Sequence, residues 1–224
     1  MDELIYGVWK GKVYDYRRRA PDGAQSELPL ETLLTFNQGN PVAGPQGFLM
    51  FDMRVTLAEF LRQYYARAKS LSCGRCTPCR MGTILIDEAL EKAARGEGES
   101  VDWDRIRAIL VQMRETSLCG IGQTSPEPLW GALEYFPEML RRAPAMPETT
   151  RDFYAVATAP CIEACPSHVN IPRYIDYIRD GHPELATTVL LRHYPLVGSC
   201  GRVCVRPCES ACVRGRVDRA IAIR

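Results

Sequence analysis

Ser72-Cys73-Gly74-Arg75-Cys76-Thr77-Pro78-Cys79-Arg80 sets three cysteines at successive spacings of three, and a fourth follows in Ser117-Leu118-Cys119-Gly120-Ile121-Gly122. Four thiolates in this pattern suit one cubane iron–sulfur cluster. A C-x-x-C-x-x-C loop wraps the backbone around one corner of the cluster, and its amide N–H groups can point at the sulfurs. Gly74 lets the chain come close without a Cβ clash. Arg75 and Arg80 add positive charge, which favours thiolate over thiol and raises the reduction potential. A fourth ligand from a distant segment turns the cluster into a staple between helices. Zinc also accepts four cysteines, but usually as two separated C-x-x-C pairs, so the spacing favours iron–sulfur.

Working outward, a chain of 224 residues is long enough for two small domains. With 46% hydrophobic and 25% charged residues, its composition is that of an ordinary globular protein. A formal net charge of +1 gives no reason to expect nucleic acid or an anionic membrane as a partner. The longest like-charge block, Arg17-Arg18-Arg19, reads as solvated surface. No apolar run reaches the roughly 18 residues of a membrane span. Met1-Asp2-Glu3-Leu4 lacks the basic and apolar regions of a signal peptide, so a cytoplasmic protein docked to something larger is expected. Ten cysteines without a secretion signal point to metal rather than disulfides, and with three histidines the ligands must be mainly sulfur.

The pattern along the chain predicts a mainly α fold. Residues 1–48 read as an N-terminal arm, with strands suggested by Ile5-Tyr6-Gly7-Val8-Trp9 and Lys12-Val13-Tyr14 and breaks at Pro21-Asp22-Gly23 and Pro41 to Gly47. Its expected task is packing against a partner or the next helix. Residues 49–141 read as a small helical bundle with the cluster at one end. Its first helix begins at Thr56 in a capping box with Glu59, the second near Met81, and the third spans about Asp102 to Glu115. A fourth begins at Ser125-Pro126. Residues 142–160, with Ala143-Pro144-Ala145-Met146-Pro147, form a linker.

Residues 161–224 form a second small α-helical, cysteine-rich unit. Cys161 and Cys165 open it, and short helices follow around Pro172 to Arg179 and Pro183 to Tyr194. Cys200, Cys204, Cys208 and Cys212 then recur every fourth residue, where Gly201 and Pro207 argue for turns folded about a cluster rather than one helix. Six cysteines cannot supply eight ligands. Either one all-cysteine cluster forms with two thiols spare, or two form with other ligands completing them. Glu209 and His168 are conceivable substitutes, though a solvated or hydrogen-bonded role is the simpler reading. Glu163, Asp176, Asp180 and Glu184 read as surface charges. Arg202 and Arg206 stand among the cysteines, where they can tune potential or bind a partner's carboxylate.

The wording of 72–80, with Glu115-Thr116-Ser117-Leu118-Cys119-Gly120-Ile121-Gly122-Gln123-Thr124, resembles the C-terminal cluster domain of the NADH-binding subunit of respiratory complex I and of related NAD-linked hydrogenases and formate dehydrogenases. The likeness spans about residues 48 to 141. It implies that Cys73, Cys76, Cys79 and Cys119 hold a [4Fe-4S] cluster, the first electron acceptor after FMN in those enzymes. That family places its flavin and NADH fold upstream, with a glycine-rich phosphate loop; no G-x-G-x-x-G occurs here, so binding of NADH or FMN by that route is not expected.

Residues 160–224 look like the N-terminal cluster domain of the glutamate synthase small subunit and of dihydropyrimidine dehydrogenase. The carrying phrases are Cys161-Ile162-Glu163-Ala164-Cys165-Pro166, Cys200-Gly201-Arg202-Val203-Cys204, Pro207-Cys208-Glu209-Ser210-Ala211-Cys212 and Asp218 to Arg224. In those relatives an upstream C-x-x-C completes one of two [4Fe-4S] clusters, and Phe153 to Thr158 contains no cysteine. The resemblance implies at least two [4Fe-4S] clusters here, with FAD or FMN on a partner flavoprotein or a further domain. The expected function is an electron-transfer subunit of a flavin- and NAD(P)H-linked oxidoreductase. Two alternatives stand beside it: the front part of a longer FAD-containing NAD(P)H oxidoreductase, and a zinc-stapled assembly scaffold. No acid–base pair, nucleophile triad or phosphate loop is apparent, so no catalytic residue is assigned.

Overall fold

The computed structural model describes residues 4–17, 41–51, 54–145, 154–155 and 159–224. The Pro21-Asp22-Gly23 break, Arg18 and Arg19 of the basic run, and the linker positions 146–153 and 156–158 lie outside the described residues. The architecture is mainly helical, with a small sheet packed on the first helical unit. No helix among the described residues is long and apolar enough to cross a membrane.

The two strands expected in the arm form as β1 (Tyr6–Trp9) and β2 (Lys12–Asp15). They are joined by Lys10 and Gly11, both at positive φ, the conformation of the two-residue turns that suit a twisted hairpin. Three further strands complete the sheet: β3 (Val42–Gly44), β4 (Gly47–Met50) and β5 (Tyr154–Ala155), in the order β2-β1-β4-β3-β5. The segment read as a break, Pro41 to Gly47, thus contributes strand. Val42–Gly44 is too short for alternation to show, and its pairing with β4 supplies the order. Arg17 is more than solvated surface. It pairs with Asp15 at 2.8 Å, and its guanidinium lies 5.3 Å from the Tyr6 ring and 5.0 Å from that of Phe136.

Helix α1 (Leu57–Leu71) starts as expected, with the Thr56 side chain accepting the Glu59 N–H at 3.2 Å. Helix α2 (Thr77–Lys92) starts four residues before the expected Met81, inside the cysteine motif, because Pro78 fits the first helical turn. Helix α3 (Trp103–Thr116) is capped by Asp102, which accepts the Arg105 N–H at 3.0 Å. An unforeseen short helix, α4 (Gly120–Thr124), follows Cys119. Ser125 therefore ends α4 instead of capping α5 (Glu127–Tyr135), whose cap position is Pro126; α6 (Glu138–Arg141) closes the unit. One core joins sheet and bundle, with Tyr6 and Phe48 beside Leu61, Leu110, Leu133 and Phe136. The Tyr6, Phe48 and Phe136 rings stand 5.0–6.2 Å apart in tilted and edge-on pairs.

The cysteine-rich C-terminal unit comprises α7 (Pro160–Glu163), α8 (Ile171–Arg179), α9 (Pro183–Leu191), α10 (Val197–Val203) and α11 (Pro207–Ser210). As Pro207 implies, the four-residue cysteine repeat is not one helix, with Arg206 at φ 59° separating α10 from α11; Gly201, read as a turn, lies inside α10. Val169, Ile171, Tyr174, Ala186, Cys208 and Ile223 form this unit's own small core. The Tyr174 hydroxyl donates to the Ile223 carbonyl, fastening α8 to the last residues.

Because Leu110 is fully buried at the centre of the larger core, Leu110→Ala is expected to cost about 2–5 kcal/mol. Urea unfolding of the anaerobically reconstituted protein checks this, with a lowered midpoint at unchanged slope as the expected result.

Candidate iron–sulfur centres

Two loops build the first group of thiols. The chain leaves α1 at Ser72, turns through Gly74 at φ 81°, and enters α2 with Cys76 in the cap position and Cys79 in its first turn. The second loop ends α3 and presents Cys119 as the cap of α4. The Arg80 guanidinium donates to the Gly74 carbonyl at 2.9 Å, holding the turn. The loops meet without room for another atom: a Cβ on Gly122 would lie 2.5 Å from Ser117 Cβ and 2.9 Å from Cys79 Cβ.

Backbone amides face these sulfurs. Cys73 accepts the Arg75 N–H, and Cys119 accepts those of Ile121 and Gly122. Burial raises Cys73 and Cys119 above the usual thiol range and pushes Cys79 up to about 11, while these N–H donors and the Ser72 hydroxyl beside Cys79 act in the opposite direction. The thiols sit at the start of α2, where the helix dipole favours negative charge. The Ser117 hydroxyl is buried next to Gly122 and has no hydrogen-bond partner among the described residues.

The remaining cysteines divide. Cys208 is buried, and its thiol is raised by burial and by its neighbours Cys165 and Cys204. Tyr194, raised first by burial, has Cys165, Cys200, Cys204 and Cys208 around it. Cys161 and Cys212 face the other way. They line a cavity of about 170 Å³ together with Cys73, Cys76 and Cys119. Burial pushes the Cys161 thiol up to about 12, with Cys119 and Cys212 adding to the effect. Glu209 is occupied elsewhere, accepting the Ile223 and Arg224 N–H groups at 3.0 Å each. His168 lines a larger cavity of about 800 Å³ that has no thiol among its described lining residues. Among the described residues, no group of three or more His, Cys, Asp and Glu side chains is arranged to hold a single metal ion.

The units touch at the first thiol loop. Gly120 lies against Ala159 and Pro160, where a Cβ would stand 2.5 Å from Pro160 Cδ. Ala159 and Ile162 pack with Cys79 and Ile121. From α8, Arg173 donates to the Ser72 carbonyl at 3.2 Å, and Asp176 and Asp180 pair with Arg75. Reading these acids as surface charges therefore misses Asp176, whose side chain is only 14% exposed. The available signal was their placement with Arg173 at spacings of three and four, one face of one helix.

Residues 59–143 match the family model described as the NADH-ubiquinone oxidoreductase-F iron–sulfur binding region, and residues 133–224 match that of dihydropyrimidine dehydrogenase domain II, 4Fe-4S cluster. The chain carries two 4Fe-4S binding regions. Three curated relatives are similar to this chain, two of them over its whole length. The NADP(+)-dependent formate dehydrogenase subunit beta of Moorella thermoacetica is 33% identical, over 100% of this chain and 37% of its own length. The NADPH-Fe(3+) oxidoreductase subunit beta of Geobacter sulfurreducens is 28% identical, over 100% of this chain and 34% of its own. The NADP-reducing hydrogenase subunit HndC of Solidesulfovibrio fructosivorans is 34% identical over 38% of this chain, and that match covers 17% of its own length. The chain thus spans about a third of the length of the two relatives that match it throughout.

The first region fits a cubane cluster on its own chemistry: an all-thiol donor set, N–H groups on two sulfurs, and a close approach only glycine permits. Gly122→Ala is expected to part Cys79 from Cys119 and lower bound iron by about four atoms per chain. Gly198→Ala, whose added carbon would meet no described residue outside its own helix within 4 Å, should leave iron unchanged. Iron and acid-labile sulfide analysis of both variants checks the contrast.

Proposed function

We propose that the chain relays single electrons between a flavin site and another redox centre of an NAD(P)H-linked oxidoreductase. In this reading Cys73, Cys76, Cys79 and Cys119 hold one [4Fe-4S] cluster, and the six cysteines from Cys161 to Cys212 supply ligands for one or two more. Such clusters, when bound, accept and release one electron at a time with little rearrangement of their surroundings. The observation that carries the reading is the meeting of the 73–79 and 119 loops beside the second thiol-rich unit, with Cys161 packed against both.

The chain's own residues do the rest. The N–H groups of Arg75, Ile121 and Gly122 offset negative charge on sulfur. Leu71, Ile121 and Ile162 cover Cys79 and keep water from it. Arg206 donates its N–H to Cys204 Sγ at 3.4 Å in the second unit. The flavin belongs to a partner flavoprotein or to another part of a longer polypeptide, and the reaction proceeds in the cytoplasm. A longer single-chain FAD-containing oxidoreductase is favoured by one observation, the third of a length that this chain covers in relatives matching it from end to end.

Anaerobically purified protein is expected to be brown, to hold at least about eight irons per chain, and to give [4Fe-4S] signals in electron paramagnetic resonance after reduction. A colourless preparation with stoichiometric zinc and fewer than about four irons would replace this reading with a zinc-stapled scaffold.

A further inference from the structure

Resting on the cluster reading above, we propose that Asp176, a residue of the second unit, sets the reduction potential of the cluster on the first. Its carboxylate lines the cavity shared by Cys73, Cys76 and Cys119, and with its side chain 14% exposed it is poorly screened by water. It stands 3.4 Å from Arg75 Nε and also pairs with Arg179. Arg75 sits between two of the loop cysteines and bonds at its outer end to Asp180.

Charge around the cavity is therefore balanced across the seam between units. Two guanidinium groups, Arg75 and Arg179, meet two carboxylates, Asp176 and Asp180; a third arginine, Arg214, is matched by Asp218 at 2.6 Å. Reduction adds one negative charge to a cluster, and a fixed carboxylate nearby opposes it. Arg75 by itself would draw the potential up. With α8 docked, that pull is answered, and the potential of one centre depends on a residue of the neighbouring unit. Arg173 on the Ser72 carbonyl fixes the location of α8, and with it sets the Asp176 carboxylate within hydrogen-bond reach of the Cys73 thiol.

The test is a redox titration of the reconstituted full chain, monitored by electron paramagnetic resonance, on variants whose iron content is measured first. Asp176→Asn is expected to raise the potential of one centre by about tenfold in its reduction equilibrium, ~59 mV for a one-electron couple, and to leave the other centre in place. Arg75→Gln should move the same centre downward. Asp180→Asn, with a side chain 41% exposed and screened, should shift it less than Asp176→Asn does. Full iron with an unmoved potential in Asp176→Asn, or equal movement of both centres, overturns the proposal. If Asp176→Asn fails to hold iron, Arg75→Gln decides: a fall in one potential supports the assignment, and no fall overturns it. Loss of iron by both variants also overturns it, since the pair would then hold the fold and not the potential. Wild-type protein with fewer than about four irons is a separate result, which sinks the cluster reading itself.

Discussion

The close contact between two loops governs this molecule. Cys79 in the first turn of α2 and Gly122 in α4 press together with Ser117 between them, and everything around them is arranged to allow it. Helices α2 and α3 must run side by side so that their ends deliver the two loops to one place. The buried row of Ile86, Leu90, Leu110 and Met113 holds them there. Burial, with a smaller contribution from neighbouring thiols, favours the neutral form of Cys73, Cys79 and Cys119, so the apo loop is gathered by packing and forming thiolates there carries a cost. Metal binding offsets that cost by deprotonating the thiols and making bonds to each of them.

The sheet supports the bundle beside α5. Tyr6, Phe48 and Phe136 lock it to α5, and Tyr65 spans from α1 to the Ser125 carbonyl at 2.9 Å, where α4 ends. The thiol loops are thus anchored at both ends in a rigid core, which is what a centre that changes only its charge requires.

The second unit is joined to the first through the site itself. Gly120 makes space for Pro160, Arg173 satisfies the carbonyl where α1 ends, and Asp176 of α8 with Asp180 at its C-terminal cap answers the arginine of the cysteine loop. This union changes what Arg75 means. Taken with its sequence neighbours it is a positive charge beside a cluster; in the folded chain it is half of a pair. The same seam separates the second unit's cysteines, with Cys161 and Cys212 turned toward Cys119 and the other four gathered near Tyr194.

Local chemistry was enough to read much of this. The spacing of Cys73, Cys76 and Cys79, the cap at Thr56, the apolar period of α1 to α3, and the break before Pro207 all act over a few residues, and each is written in consecutive letters. What those letters leave open is decided by contacts between distant segments. Strand β4 forms because β1 lies beside it, and β3 because β4 does. The division of the six later thiols and the partner of Arg75 depend on how two units meet, and no periodicity encodes the charge that a helix a hundred residues away will set beside a loop.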